Sequence, residues 1–394
     1  MLRYFTAGES HGEALVAFLS GMPAGLKVEQ KFIDRELWRR QQGFGRGGRM
    51  KIEKDTAHIV SGVRHGKTIG SPIAILLENK DWKNWQEALP VEEGDRGKHK
   101  SVASPRPGHA DLAGALKYNF PEARYVLERA SARESAGRVA IGALAKLFLR
   151  EFGIEVLSHV IAVGRVTVGD AEISWPRLQQ LHAKDEVVLN CADSEAEERM
   201  KAEVDKALRT GDSVGGVFEV VAHGVPPGLG TYAQWDERLD GMLAQAVMSL
   251  QAVKAVEIGT GVGSAVSFGS TVHDEIGYQK ETKPVGFTGF TRKSNHAGGI
   301  EGGISNGESI LVRGYLKPIS TLRRPLASVN FETREPVKAA YERSDVCVVP
   351  AAGVAAEAMV ALTLAKCTLE KFGGDSMVET LKNFEGYREQ LRNF

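Results

Sequence analysis

SARESAGRVAIGALAKLFLREF, residues 131–152, is the stretch on which the fold turns. Ser131 and Glu134 have capping-box spacing, and the small, apolar run behind them continues to Phe152, where Gly153 stops it. A second small-residue helix is predicted over 351–372, entered through Pro350 and closed by Gly373 and Gly374. Helices this apolar around their circumference need cover on several sides, which places them against sheets. Strand-like runs to supply it are read at 50–63, 69–78, 154–168, 216–222 and 309–316, several alternating apolar with polar residues. Antiparallel pairing is the simplest arrangement. Asp34 is expected to cap a short helix through Gln42, and Ser194 with Glu197 to cap a charged outer helix running to Arg209. With no repeat and no linker, the reading is one α+β domain over residues 1–394, its helices sandwiched between antiparallel sheets.

The 394 residues are 42% hydrophobic, ample for a core, and 50 basic residues balance 50 acidic ones. A neutral chain has no global field for nucleic acid or an anionic membrane, so neither is an expected partner. Cys191, Cys347 and Cys367 are odd in number and form no C-x-x-C pair, which argues against a disulfide framework and a zinc site. The opening Met1–Phe5 reaches Glu9 too soon for a signal peptide, and no uncharged apolar run approaches a membrane span; a cytoplasmic protein is expected.

Neutrality conceals local concentration. Arginines and histidines gather in islands rich in glycine and serine: Gly8-Glu9-Ser10-His11-Gly12, Arg39-Arg40 running into Gly43–Arg49, Arg106-Pro107-Gly108-His109-Ala110-Asp111, and Arg129–Glu134. Glycine lets backbone N–H groups approach a ligand closely, and arginine grips phosphate or carboxylate in a fork, so the islands point to a small polyanion. Gly43-x-Gly45-x-x-Gly48 matches the dinucleotide fingerprint formally, but a helix precedes it and a strand follows, the reverse of what that fingerprint needs. His11 and His109 are the side chains poised for proton transfer near neutrality, and Asp111 stands where it could orient His109. A serine-hydrolase triad is not expected, because Ser10 is adjacent in sequence to His11. Arg129 and Arg133 around Ser131 oppose the dipole of the helix they introduce, which calls for an anion there. Later, Lys317-Pro318-Ile319-Ser320-Thr321 reads as a lysine and hydroxyls suited to a phosphate.

Together and in this order, the Gly8–Gly12 block, the block from Glu128 to Val139 and the block from Arg343 to Glu357 resemble the chorismate synthase family. The resemblance takes in 40–49, 106–111, Gly298-Gly299 and 317–321 as well. It implies central helices between antiparallel sheets, a homotetramer, and conversion of 5-enolpyruvylshikimate 3-phosphate to chorismate with loss of phosphate. Reduced FMN (FMNH2) is the implied cofactor, with no net redox change. No reductase segment accompanies it, so reduced flavin is expected from an external reductant, NADPH acting only indirectly. Carried over by match, Arg40, Arg46, Arg49, Arg106, Arg133 and Arg138 are the implied substrate cations. His11 is implied to protonate reduced flavin or the departing phosphate, and His109 to be the second acid–base group. Asp345, with Ser10 and Ser131, is implied to assist removal of the ring proton. FMN contacts are implied at Arg129, Ala130 and Ser131, at Gln251 and Ala252 through backbone, at Ala297, at Lys317, Pro318, Ile319, Ser320 and Thr321, and at Arg343. Phe18 is bulkier than the aliphatic residue the first block leads one to expect. A pyridine-nucleotide-dependent flavin reductase and a non-enzymatic RNA-binding module at 43–49 are the rival readings.

Overall fold

The computed structural model describes residues 2–47, 54–93, 96–169, 173–279, 288–342 and 345–394. Its first sheet holds β1 (Arg3–Ala7), β2 (Ala14–Ser20), β3 (His58–Ser61) and β4 (Ile73–Glu78) in the order β1-β2-β4-β3, all antiparallel. Leu15, Ala17 and Leu19 on β2, and Ile73, Ile75 and Leu77 on β4, turn inward and are buried, as a period of two requires of a one-sided sheet. The second sheet holds β5 (Glu155–Val163), β6 (Val166–Thr167), β7 (Gly216–His223), β8 (Val253–Ile258) and β9 (Ile310–Leu316), ordered β8-β9-β7-β5-β6 and also antiparallel.

Between the sheets lie helices. In chain order the helices are α1 (Gln30–Gln41), α2 (Asp111–Tyr118), α3 (Arg124–Ala130), α4 (Ser135–Arg150), α5 (Trp175–His182), α6 (Ser194–Thr210), α7 (Leu239–Met248), the single turn α8 (Gly269–Val272), α9 (Val349–Phe372) and α10 (Met377–Asn393). α4 lies on β2 and β4, α9 lies on β5 and β7, and the two helices pack on each other, with α1 against both. Each residue of α4 from Val139 to Leu149 is buried. Close approach depends on small side chains: a Cβ added at Gly142 would lie 2.3 Å from Ala358 Cβ. α9 is long and apolar enough by composition to match a membrane span, with a mean hydropathy of 1.4 over its window, although Glu357 and Lys366 interrupt it and it is no uncharged run. Its apolar circumference faces protein, and 78% of that window is buried.

The centre of this layer is charged. Arg39 on α1 donates to Glu36 at 2.7 Å and to both oxygens of Glu357 on α9 at 2.8 and 2.7 Å. Lys146 on α4 donates to Glu36 at 2.5 Å and to Glu357, while Ser158 on β5 donates to Glu357 at 2.5 Å. Two cations and two carboxylates, all buried, cancel and saturate one another, which is the condition under which buried charge is tolerated.

Several predicted ends move. α1 begins at Gln30, and Asp34 sits inside it, its Oδ1 accepting from Ala57 N and Gln30 Nε2. Ser131 Oγ accepts from Arg133 N at 3.3 Å, but it opens a 3-10 turn over Ala132–Glu134 before α4 starts. Glu134 does not close a capping box; it accepts from Thr6, Gln251 and Arg138. The cap of α6 is Asp193, because Glu197 is committed to the backbone of Leu189 and Cys191. That helix is charged outward but docks a stripe of Ala196, Met200, Val204 and Ala207. The run read at 50–63 is strand only from His58, residues 50–53 lying outside the described ones. Phe18 points to the outer face of the first sheet opposite exposed Phe5, so its bulk never meets the core.

Candidate active site

Loop and helix ends meet on one side of the layer around a cavity of ≈ 790 Å³. The turn between β1 and β2 brings His11 there. Gly8 has φ 97° and a Cβ would lie 2.3 Å from Ala14 O, so only glycine fits. Glu128 on α3 holds His11 twice, accepting from its backbone N at 2.7 Å and from Nδ1 at 2.9 Å. Burial raises the Glu128 pKa, but the hydrogen bonds and charge of His11, with Arg124, outweigh it and lower the value overall. With Nδ1 committed to a carboxylate, proton exchange with a ligand falls to Nε2. Trp85 stacks on the imidazole, ring centroids 4.0 Å apart.

Arg40 in the last turn of α1 and Arg133 in the turn before α4 converge on Asp55. Asp55 accepts from Arg40 Nη2 at 2.9 Å and from Arg133 Nη1 with both oxygens at 2.7 Å. Burial opposes the charge of Asp55, but Arg40 and Arg133 dominate and lower its pKa, keeping it a carboxylate. Arg40 Nε is buried with no hydrogen-bond partner among the described residues. Asn79 joins this pair to the His11 turn: its Oδ1 accepts from Arg133 Nε at 3.0 Å, and its Nδ2 donates to Glu9 O and Gly12 O.

Across the cavity Asp111, fully buried at the start of α2, accepts from Arg106 N, Nε and Nη2 at 3.0, 2.8 and 3.0 Å. It also lies 2.5 Å from His109 Nδ1. Nδ1 cannot donate there and also accept from Arg106 Nη2 at 3.0 Å; the shorter contact to a carboxylate puts the proton on Nδ1. Arg106 Nη1 donates to Thr321 Oγ1 at 2.9 Å, and Lys317 Nζ donates to Gly108 O. Burial, with Lys254 nearby, lowers the Lys317 pKa. Asp345 accepts from Gly47 N at 2.5 Å and pairs with Arg46 at 3.0 Å, tying the glycine loop to the start of α9. Gln251 turns its side chain to Glu134, and Ala252, at φ 69°, takes a left-handed conformation that leaves backbone on the cavity wall.

Of the residues read from sequence, Ser10, His11, Arg40, Arg46, Arg106, His109, Ala130, Ser131, Arg133, Gln251, Ala252, Lys317, Ile319, Ser320, Thr321 and Asp345 line this single cavity. Arg49 and Arg343 lie outside the described residues. Arg129, Arg138, Ala297 and Pro318 do not line it. Arg129 instead donates to Thr6 O and Gly8 O, and Arg138 ties Glu134 to Ser249. Ala297 N donates to Asp274. Arg129 does not oppose a helix dipole at Ser131, because it occupies the last turn of α3, where a cation is favourable. Arg133 is offset by Asp55, so neither arginine requires an external anion.

Asp55, Asn79, Glu128 and Trp85 escape sequence reasoning. Each acquires its role from partners in space, Asp55 from Arg40 and Arg133 at 15 and 78 positions and the others from partners 54 to 117 positions away, and of the four Glu128 alone stands in a motif block. Glu128 alone left a trace, standing four residues after Arg124 on one helix face.

A helical layer between antiparallel sheets, with a cation-lined, histidine-bearing cavity at its edge, defines an α+β enzyme acting on a small acidic molecule. A family model described as chorismate synthase matches residues 2–369. The chain is 74% identical to the chorismate synthase of Koribacter versatilis and 70% identical to that of Acidobacterium capsulatum, each alignment covering 100% of both chains. A crystal structure titled as chorismate synthase superposes with a TM-score of 0.78 at 42% identity, covering 100% of this chain and 99% of that one. The chain belongs to the chorismate synthase family, lyases of the shikimate pathway in aromatic amino acid biosynthesis.

Proposed function

We propose that the chain converts 5-enolpyruvylshikimate 3-phosphate to chorismate in this cavity, with reduced FMN bound beside the substrate. The observation that carries the reading is the convergence of cations and two carboxylate-held histidines from separate segments around one cavity. The reaction breaks a C–O bond to phosphate and a ring C–H bond in a 1,4-anti sense and forms a new double bond, without net oxidation. Arg40, Arg46, Arg106 and Arg133 hold the phosphate and carboxylates and stabilise charge on the departing phosphate. His11 delivers a proton at Nε2, Glu128 balancing the imidazolium through Nδ1. His109, fixed by Asp111, serves as the second acid–base group. Asp345, with Ser10 and Ser131 near it, assists departure of the ring proton.

The wall suits a flavin: Leu127, Leu250, Val348, Ala351, Ala352 and Ala355 present an apolar face beside Lys317, Ser320 and Thr321. When bound, reduced flavin supplies electron density to the breaking C–O bond and a basic ring nitrogen. Lys317, Ser320, Thr321, Ile319 and the backbone of Ala130, Gln251 and Ala252 hold it from this chain. Arg129, Ala297, Pro318 and Arg343 are further flavin contacts, Arg49 and Arg138 further substrate cations, and the chain assembles as a homotetramer. An external system, NADPH-linked only indirectly, reduces the flavin, and the enzyme works in the cytoplasm as one domain over residues 1–394. Phosphate release from 5-enolpyruvylshikimate 3-phosphate under anaerobic conditions is expected only when reduced FMN is supplied. Release without it, or none with it from folded protein, overturns the proposal.

A further inference from the structure

Arg40 and Arg133 reach the cavity from different elements, and both are buried with their charges side by side. Two guanidinium groups so placed repel and would swing apart. Asp55 prevents this. It is 6% exposed, sits between them, and takes a hydrogen bond from Arg40 and two from the same nitrogen of Arg133. Its own backbone is pinned, since Asp55 N donates to Gln41 Oε1 at 3.2 Å, at the end of the helix that carries Arg40. Arg133 is fixed along a further edge by Asn79, which also holds the His11 turn. Both guanidinium planes are therefore set before any ligand arrives. The trio carries one net positive charge, so a single anionic group of a ligand is balanced without leaving two buried cations uncompensated in the empty site.

From this geometry we infer that Asp55 is a positioning residue for the reaction: it orients Arg40 and Arg133 as one receptor for a phosphate or carboxylate of the substrate. The inference rests on the proposed activity and adds to it a carboxylate that never touches substrate. Pre-set donors contribute most because nothing reorganises when charge develops, and a misplacement of about 1 Å costs about 100-fold in rate.

The test compares full-length Asp55→Asn and Asp55→Glu with wild type by calorimetric titration of 5-enolpyruvylshikimate 3-phosphate, by kcat/KM and by thermal melting. Asp55→Glu keeps the charge but is one methylene longer. It is expected to melt near wild type yet lose about tenfold or more in affinity and in kcat/KM. Asp55→Asn is expected to lose more, and to add less than about twofold in an Arg40→Ala or Arg133→Ala background, because it acts through those residues. Wild-type affinity and turnover in Asp55→Glu, or losses that add fully in the double variants, would assign Asp55 to charge balance alone and overturn the inference. If Asp55→Asn does not fold, Asp55→Glu decides. Wild-type protein that neither binds nor turns over the substrate counts against the proposed activity, an outcome read independently of the variants.

Discussion

Histidines in this molecule are specified by what their second nitrogen meets. His11 and His109 each give Nδ1 to a carboxylate, Glu128 and Asp111, whereas His182 gives Nε2 to the backbone carbonyl of Ser158 at 2.6 Å. Its Nδ1 is buried without a hydrogen-bond partner among the described residues, close to the central charged cluster. Burial, reinforced by Arg39, pushes the His182 pKa down to about 4. The folded protein thus resists a proton that the unfolded chain accepts at the ordinary value, so stability rises with pH between the two values and falls as acid is added through that window. Wild type is expected to lose about 2 kcal/mol from this group between about pH 7.5 and about pH 5. His182→Gln, which keeps a donor for Ser158 but does not titrate, removes that part of the slope; chemical denaturation at the two pH values measures it, and an unchanged slope refutes the assignment. Residue identity in the sequence exposed His11 and His109, since glycine and proline flanked them. Asp55 stayed invisible because nothing adjacent to it in the chain distinguishes a salt-bridged carboxylate from a surface one.

Helix contacts in the central layer depend on side chains that are missing as much as on those present. Alanine usually improves a helix over glycine by about 1 kcal/mol, yet at Gly142 a Cβ would meet Ala358 Cβ at 2.3 Å and Cα at 2.6 Å. The two helices would have to part, taking the Lys146 and Glu357 contact with them. Gly142→Ala is accordingly expected to destabilise by about 1–3 kcal/mol, measured as a lower denaturant midpoint at unchanged slope. The long helices α4 and α9 were legible because their composition and glycine stops are local signals. β1, β2, β8 and α3 were not: β1 and β2 flank a functional turn whose glycines and polar residues dominate the local pattern, and β8 owes its pairing to β9, far off in sequence. The helix cap at Ser131 was half right for the same reason. A serine can hydrogen-bond the next turn, but Glu134 is claimed by Thr6 and Gln251, which no local spacing reveals.

Across the whole molecule, apolar surface is not evenly spread. Val262, Val266, Phe268 and Ile276 are 75%, 90%, 84% and 65% exposed within one short region following β8. Large exposed apolar groups in sequence this close mark a contact surface, and the proposed homotetramer supplies the occupant. Phe268→Asp is expected to lower the mass measured by analytical ultracentrifugation while leaving the far-ultraviolet circular dichroism unchanged; an unaltered mass places the subunit contacts elsewhere.

The central charged cluster also carries a consequence for how the chain is made. Arg39 meets Glu357 across 318 positions, and α9 follows the end of α4 by about 200 residues. At a synthesis rate of about 5–20 residues per second, the first sheet and α4 wait on the order of 10–40 s outside the ribosome before the helix that completes their core exists. During that interval Arg39 and Lys146 have Glu36 but not Glu357, so burying them early leaves a cation uncompensated and is penalised. Burial of these ions is thereby tied to the arrival of α9, the helix that carries Glu357.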